Sequence, residues 1–262
     1  QLMPVLWGEG SNGKSTLVNA VMNAVGDDYG GAPPRELFTV QSYGTPHPTN
    51  LMTLQGRRLM VAQETEAGAR LNEALIKHLT GGDKVTARGM YENFTSFDPT
   101  HKLLLCTNHK PVVRGRDHAI WRRLKLIPFA VRFEGAAVDR TLPERLRAEA
   151  PGILAWMVRG CLDWYQARDM REPESVAVAT RGYAFEMDEV GRFLAECCET
   201  GPGFSALVAD LFRAFKDAAP DSEVTQTAFG RELGDRGFAS GQATKGPTKG
   251  LKTRIGLRLK GQ

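Results

Sequence analysis

Cysteine is scarce in this sequence, with four in 262 residues. Cys106, Cys161, Cys197 and Cys198 form neither a C-x-x-C pair nor zinc-ligand spacing, which excludes a disulfide-stapled module and a zinc framework. The thiols are expected to be buried and reduced, as in a cytoplasmic protein. Long apolar runs are missing as well. Nothing approaches the roughly 18 residues that a membrane-spanning helix needs, so no membrane partner is expected. There is no signal peptide and no initiating Met, and Gln1 leads straight into Leu2-Met3-Pro4-Val5-Leu6-Trp7, as in a piece cut from a longer protein. No internal repeat stands out. Neither sign of charge dominates: 34 Lys and Arg stand against 30 Asp and Glu, a net +4. Clustering, rather than the total, then decides whether a polyanion is bound. The length suits about two domains of roughly 150 residues.

What is present begins with a strand. Met3 to Trp7 is followed by a Gly-rich turn and by Lys14 to Val25, whose apolar Leu17, Val18, Val21, Met22 and Val25 have helical spacing that Gly26 ends. Residues 27–56 are expected to be loops with short elements. Leu59-Met60-Val61-Ala62 and Leu103-Leu104-Leu105-Cys106-Thr107 are short apolar runs of the buried-strand kind. A helix is expected at about 72–80, and a hairpin where Val85 to Arg88 and Phe94 to Phe97 flank a polar segment. From about 138 to 200 the pattern is helical, with Leu142, Leu146, Ile153, Leu154, Trp156, Met157, Cys161, Leu162 and Trp164 forming one apolar face. Gly201-Pro202-Gly203 is expected to be a linker.

The turn carries chemistry. Gly8-Glu9-Gly10-Ser11-Asn12-Gly13-Lys14-Ser15-Thr16 fits G-x-x-x-x-G-K-[ST] between a strand and a helix, the context of a phosphate-binding P-loop. Its glycines let backbone N–H groups turn toward phosphate, Lys14 reaches the β/γ oxygens, and Ser15 ligates Mg²⁺. ATP and Mg²⁺ are the cofactors that follow. Hydrolysis also needs an acid beside the metal, a group orienting water and a cation at the γ-phosphate. Glu64 leaves the end of one apolar strand and is the candidate acid and metal ligand, with Glu66 second. Asn108 ends the next strand and is the candidate for orienting water. Arg122 and Arg123 are the candidate finger.

The strings GEGSNGKST (8–16), RLMVAQETE (58–66), ALIKHLTGGDKVTAR (74–88), KLLLCTNHKP (102–111) and AIWRRLKLIPF (119–129) together resemble the superfamily 3 helicase domain of phage and plasmid primase-helicases. That group is similar to the poxvirus primase-helicase. The resemblance covers residues 1 to about 135 and implies an AAA+ parallel-sheet core in a homo-oligomeric, usually hexameric, ring. Such a ring hydrolyses ATP between subunits and moves on single-stranded DNA in a bacterial host. It implies that Lys14 and Ser15 serve phosphate and magnesium, Glu64 is the Walker B acid, Asn108 is sensor 1, and Arg123 or Arg122 acts on a neighbour's nucleotide. Gln63 stands where many relatives have a second acid. A primase region is expected upstream of Gln1.

Two segments are candidates for DNA. In the resembling helicases the segment Gly81 to Phe97 is a hairpin in the central channel, so Lys84 and Arg88 would supply charge and Tyr91 a stacking ring. At the other end, Ser205 is expected to cap a helix over Ala206 to Ala218, and Thr225 a second helix. From Leu251 onward apolar residues alternate with Lys252, Arg254, Arg258 and Lys260, a strand with one basic face. From Gln242 to Gln262 there are six Lys and Arg, Lys245 and Lys249 included, and no acid. Two helices, a Gly-rich loop and a basic strand suggest a winged helix that binds single-stranded or duplex DNA. The expected class is therefore α/β: a P-loop ATPase core at 1–135, a helical region at 136–200 and a winged-helix module at 203–262. The rivals are an AAA+ ATPase that remodels protein or regulates transcription, a small-molecule P-loop kinase, and a DNA-binding module with a degenerate nucleotide site.

Overall fold

The computed structural model describes residues 1–40, 48–63, 66–115, 117–244, 247 and 249–261. Glu64 and Lys245 lie outside the described residues. The chain forms two compact units, residues 1–184 and 185–262.

The first unit is built on a parallel sheet. Its elements are β1 (Met3–Trp7), α1 (Lys14–Val25), β2 (Gly30–Gly31), α2 (Pro48–Met52), β3 (Leu59–Gln63), α3 (Glu73–Gly81), β4 (Val85–Ala87), β5 (Thr95–Phe97), β6 (Lys102–Thr107), α4 (His118–Trp121), β7 (Leu124–Pro128), α5 (Leu142–Ala148), α6 (Ala150–Ala167) and α7 (Glu174–Met187), whose last turn crosses into the second unit. Five strands lie in the order β2-β3-β6-β1-β7, and every pair is parallel. The apolar runs become the inner strands because both faces of a parallel sheet are covered. Met3, Val5, Leu6, Met60, Val61, Leu103, Leu105, Leu124 and Leu126 are all buried. α1 ends where Gly26 donates to the Met22 carbonyl, and α3 begins where the Asn72 side chain accepts from Leu75 N at 3.1 Å. β4 and β5 pair as the expected antiparallel hairpin. α7 supports the edge strand: Thr180 Oγ1 accepts from Leu126 N at 2.9 Å, and Tyr183 meets Trp121 edge-on with ring centroids 5.2 Å apart.

α6 departs from expectation. It packs against α1, with Ile153 and Met157 half-buried. Leu154, Trp156, Leu162 and Trp164 are exposed, and so is Cys161, which was expected to be a buried thiol. The helix is apolar on more sides than one neighbour can cover. Among the described residues no helix is long and apolar enough to cross a membrane.

The second unit contains α8 (Glu189–Cys197), β8 (Cys198–Leu207), α9 (Val208–Ala218), α10 (Gln226–Asp235), β9 (Ser240–Gln242) and β10 (Lys252–Leu259). Its core is aromatic: Phe215 stacks on Phe229 at 5.0 Å, and Phe193 meets Phe215 edge-on at 5.6 Å, over buried Leu211, Leu233 and Leu257. Each such side chain contributes about 1.5–3 kcal/mol through burial. Thr225 caps α10 by accepting from Ala228 N. Ser205 does not cap α9, because it lies within β8. Gly201-Pro202-Gly203 is not a linker either. These residues sit inside β8, where the antiparallel register slips: Thr200 pairs Leu257 and Ser205 pairs Ile255, so residues 201–204 loop out opposite Gly256. Pro and Gly mark a bulge as readily as a linker, since neither sustains a ladder.

Candidate functional site

The loop from β1 to α1 is shaped by two glycines. A Cβ on Gly8 would strike the Phe129 carbonyl and the Asn12 side chain. Gly13 has φ 85° and ψ −1°, the left-handed turn from which Lys14 opens α1. Gly13 at the N-cap has no side chain to offer, Asn12 Oδ1 accepts from Lys14 N at 3.5 Å, and no acid lies in the first turn. The N–H groups that follow Lys14 in the first turn therefore face outward with the positive end of the helix dipole. Lys14 is only 4% exposed, and its Nζ donates to the Gly8 carbonyl and to Asn12 Oδ1, the latter at 3.0 Å.

β1 is the point at which the strand order reverses, with β6 on one side and β7 on the other. Ligands of open α/β sheets bind at the carboxyl ends of strands at such a point. A cleft of about 230 Å³ opens there, lined by residues 10–16 of the loop and helix start, by Gln63 at the end of β3, and by Cys106, Thr107 and Asn108 at the end of β6. Lys14, Ser15, Thr16 and Asn108, distant in sequence, thus share one lining. Gly8 and Glu9 precede it. Glu66 is exposed in the turn after β3 and does not line the cleft. The fit to a triphosphate rests on this donor set: loop N–H groups, one ammonium and the hydroxyls of Ser15 and Thr16.

The arginine pair lies at the other edge of the sheet. β7 runs parallel to β1 with Leu124 opposite Met3 and Pro128 opposite Trp7, so Arg122 and Arg123 precede the amino end of β7 while the loop leaves the carboxyl end of β1. Arg123, the first choice for a finger, is 6% exposed. It donates to Thr80 Oγ1 at 3.0 Å, the Ala119 carbonyl at 2.7 Å and Gln1 Oε1 at 3.3 Å. Its guanidinium is spent inside the chain, because the Leu124 backbone that follows must enter the sheet. Arg122 is the exposed member, and its side chain donates to Gln1 Oε1 at 2.9 Å.

At the hairpin, Tyr91 is fully exposed with φ 62°, Arg88 stands 5.1 Å over the Phe94 ring, and Lys84 pairs with Asp98 at 3.3 Å. In the second unit several of the basic side chains on and just after β10 are engaged by neighbours. Arg254 donates to the carbonyls of Gly230 and Phe238, Arg258 pairs with Glu199 at 2.7 Å and covers the Phe204 ring, and Lys260 donates to the carbonyls of Ala195 and Glu196. Lys252 is exposed, and with Arg231 and Gln226 of α10 it lines a cleft of about 580 Å³.

Residues 6–123 match a family of unknown function, DUF5906. The chain is 29% identical over 234 residues, 81% of its length, to L207/L206 of Acanthamoeba polyphaga mimivirus, which its name proposes as a helicase. It is 30% identical over 135 residues, 51% of its length, to C962R of African swine fever virus, which its name proposes as a primase. Relatives so named support a primase-helicase-like family for the chain. It spans 24% and 14% of the lengths of those two relatives. The apo C-terminal region of NrS-1 shares the fold, with a TM-score of 0.52 at 12% identity, over 97% of this chain and 66% of that one. Both named relatives belong to large DNA viruses, so the phage or plasmid origin and bacterial host expected from the motifs find no support in them.

Sequence reasoning on this chain missed the side-chain link made by Asn12, the lining by Cys106 and Thr107, and Arg231. Asn12 was placed in the loop by the motif, but its partner Phe129 is 117 residues away. Arg231 lies on an exposed helix face that gives no periodic signal.

Proposed function

We propose that this chain is the motor part of an ATP-driven DNA helicase or translocase. The observation that carries the proposal is the cleft at the carboxyl edge of the sheet, where a P-loop sequence, a helix start with glycine at its N-cap and Asn108 share one lining. Bound MgATP supplies the phosphoanhydride bond whose hydrolysis drives movement. The chain holds it with the loop N–H groups, Lys14, Ser15 as magnesium ligand and Glu64 beyond β3 as acid. Phosphate oxygens are stronger partners for the Lys14 ammonium than the two neutral oxygens that hold it here. Asn108 orients the attacking water. Arg122, exposed at the opposite edge, is the cation offered to a neighbouring copy in an AAA+ ring, hexameric by resemblance. Lys84, Arg88 and Tyr91 are the hairpin's contacts to single-stranded DNA. The order of elements in the second unit, α8-β8-α9-α10-β9-β10, supports a winged helix. Its DNA contacts are assigned to Arg231 and Lys252 rather than to the engaged Arg254, Arg258 and Lys260. The longer parent protein is proposed to carry its primase region upstream.

The test is ATP hydrolysis by the purified chain with and without single-stranded DNA, with Lys14→Ala as the inactive control. DNA should stimulate turnover. Hydrolysis indifferent to DNA would instead favour an ATPase that remodels protein.

A further inference from the structure

The chain leaving β7 runs back along the phosphate loop. Phe129 N donates to the Trp7 carbonyl at 2.7 Å, the Asn12 side-chain amide donates to the Phe129 carbonyl at 3.1 Å, and Phe133 N donates to the Ser11 carbonyl at 2.8 Å. These bonds fasten both ends of a five-residue strap to the loop. The Phe133 ring rests where the loop enters α1, since a Cβ added to Gly13 would lie 3.7 Å from its Cε2. It is nonetheless 45% exposed. One helical turn beyond Gly13, Leu17 presents a second apolar group that is 43% exposed.

The cleft itself, at about 230 Å³, is smaller than the roughly 300–1,000 Å³ of pockets that enclose a whole small ligand. It has room for phosphates, so the nucleoside must lie outside it. Neither Phe133 nor Leu17 belongs to its lining. A loop that binds phosphate gains nothing from an exposed ring, yet the backbone that carries this ring is held by hydrogen bonds, which lowers the cost of ordering it for a ligand. An aromatic face held open in this way suits stacking on a planar base.

We propose that Phe133 is the platform on which the base of the bound nucleoside triphosphate stacks, with Leu17 as the apolar group beside it. The proposal rests on the phosphate reading of the cleft. The test measures binding of ATP and of inorganic triphosphate, each with Mg²⁺, to the whole chain and to its Phe133→Ala and Phe133→Tyr variants. Phe133→Ala should bind ATP about tenfold more weakly and inorganic triphosphate as the parent does, while Phe133→Tyr should keep ATP affinity. Equal losses for the two ligands, or no loss for ATP, would overturn the platform while leaving the phosphate site standing. A parent chain that binds neither ligand would overturn the phosphate site and the platform with it.

Discussion

The side-chain amide of Asn12 donates to the carbonyl of Phe129 at 3.1 Å across 117 residues of sequence. On its other side, Asn12 Oδ1 receives Lys14 Nζ at 3.0 Å. The lysine that faces the cleft is thereby positioned from the exit of β7. Asn12→Ala leaves a part-buried carbonyl and a buried ammonium short of one partner each. It should lower unfolding free energy by about 1–3 kcal/mol and weaken nucleotide binding as Lys14 loses its rest position. Urea unfolding and ATP titration of the same variant check both effects.

Asn108 is exposed at the end of β6 and has no core role to lose. Its replacement separates binding from turnover. Asn108→Ala should retain ATP affinity and melting temperature while turnover falls by on the order of 10²-fold, the usual loss when one positioned polar group is removed from a reacting centre. A parallel loss of ATP affinity would assign Asn108 to binding instead.

Arg122 and Arg123 are adjacent but differ in kind. Arg123→Ala removes three hydrogen bonds from a buried guanidinium and should destabilise the chain by about 2–3 kcal/mol. Arg122→Ala should leave stability unchanged and lower turnover in the assembled state. If Arg122 serves a neighbour, mixing the impaired Arg122→Ala with inactive Lys14→Ala should give more activity than the two variants measured apart. An inert mixture under assembling conditions would place Arg122 outside the reaction.

The sheet was legible because its strands are short apolar runs closed by polar residues or glycine, as at Leu59–Gln63 and Lys102–Thr107, and because Asn72 and Gly26 are unambiguous helix boundaries. The juxtaposition of Lys14 with Asn108 was also legible, since strand ends at one edge of a parallel sheet must meet. Burial was harder. Nothing near Arg123 in sequence distinguishes it from Arg122, because its partner Thr80 lies 43 residues away. Periodicity marked the apolar residues of α6 without showing what covers them. Gly201-Pro202-Gly203 carried one signal for two outcomes, and only the pairing with β10 decides for the bulge.

In the second unit, stability and DNA binding should separate by residue. Arg254 holds the Gly230 and Phe238 carbonyls, so Arg254→Ala should lower the melting temperature. Reversing the charges of Arg231 and Lys252 should leave melting unchanged and flatten the salt dependence of DNA affinity, whose slope is about −0.9 per phosphate neutralised on duplex and about −0.7 on single strands. Fluorescence anisotropy over a salt series measures the slope. An unchanged slope would move the DNA contact away from the α10 cleft.

The thiols provide a test of packing that is independent of nucleotide. Cys161 is exposed on α6, whereas Cys106 and Cys198 are buried, so a thiol reagent should modify Cys161 first in the folded chain and the buried pair only on unfolding. Burial, reinforced by the neighbouring Cys197, raises the Cys198 thiol from 9.0 to about 11, against a smaller opposing effect of Lys260. The unfolded chain therefore gives up this proton at lower pH than the folded one. Across that window the unfolded state binds fewer protons, so stability is fully present below about pH 9 and declines as pH rises toward about 11. Cys198→Ala should abolish that part of the alkaline decline, at the cost of a small cavity beside Leu257 and Phe193 that lowers stability equally at every pH. Urea midpoints of parent and variant at about pH 8 and about pH 10 would separate the two effects, since only the titration changes the difference between them. A constant difference would mean that Cys198 titrates alike in both states and is not desolvated by the aromatic core.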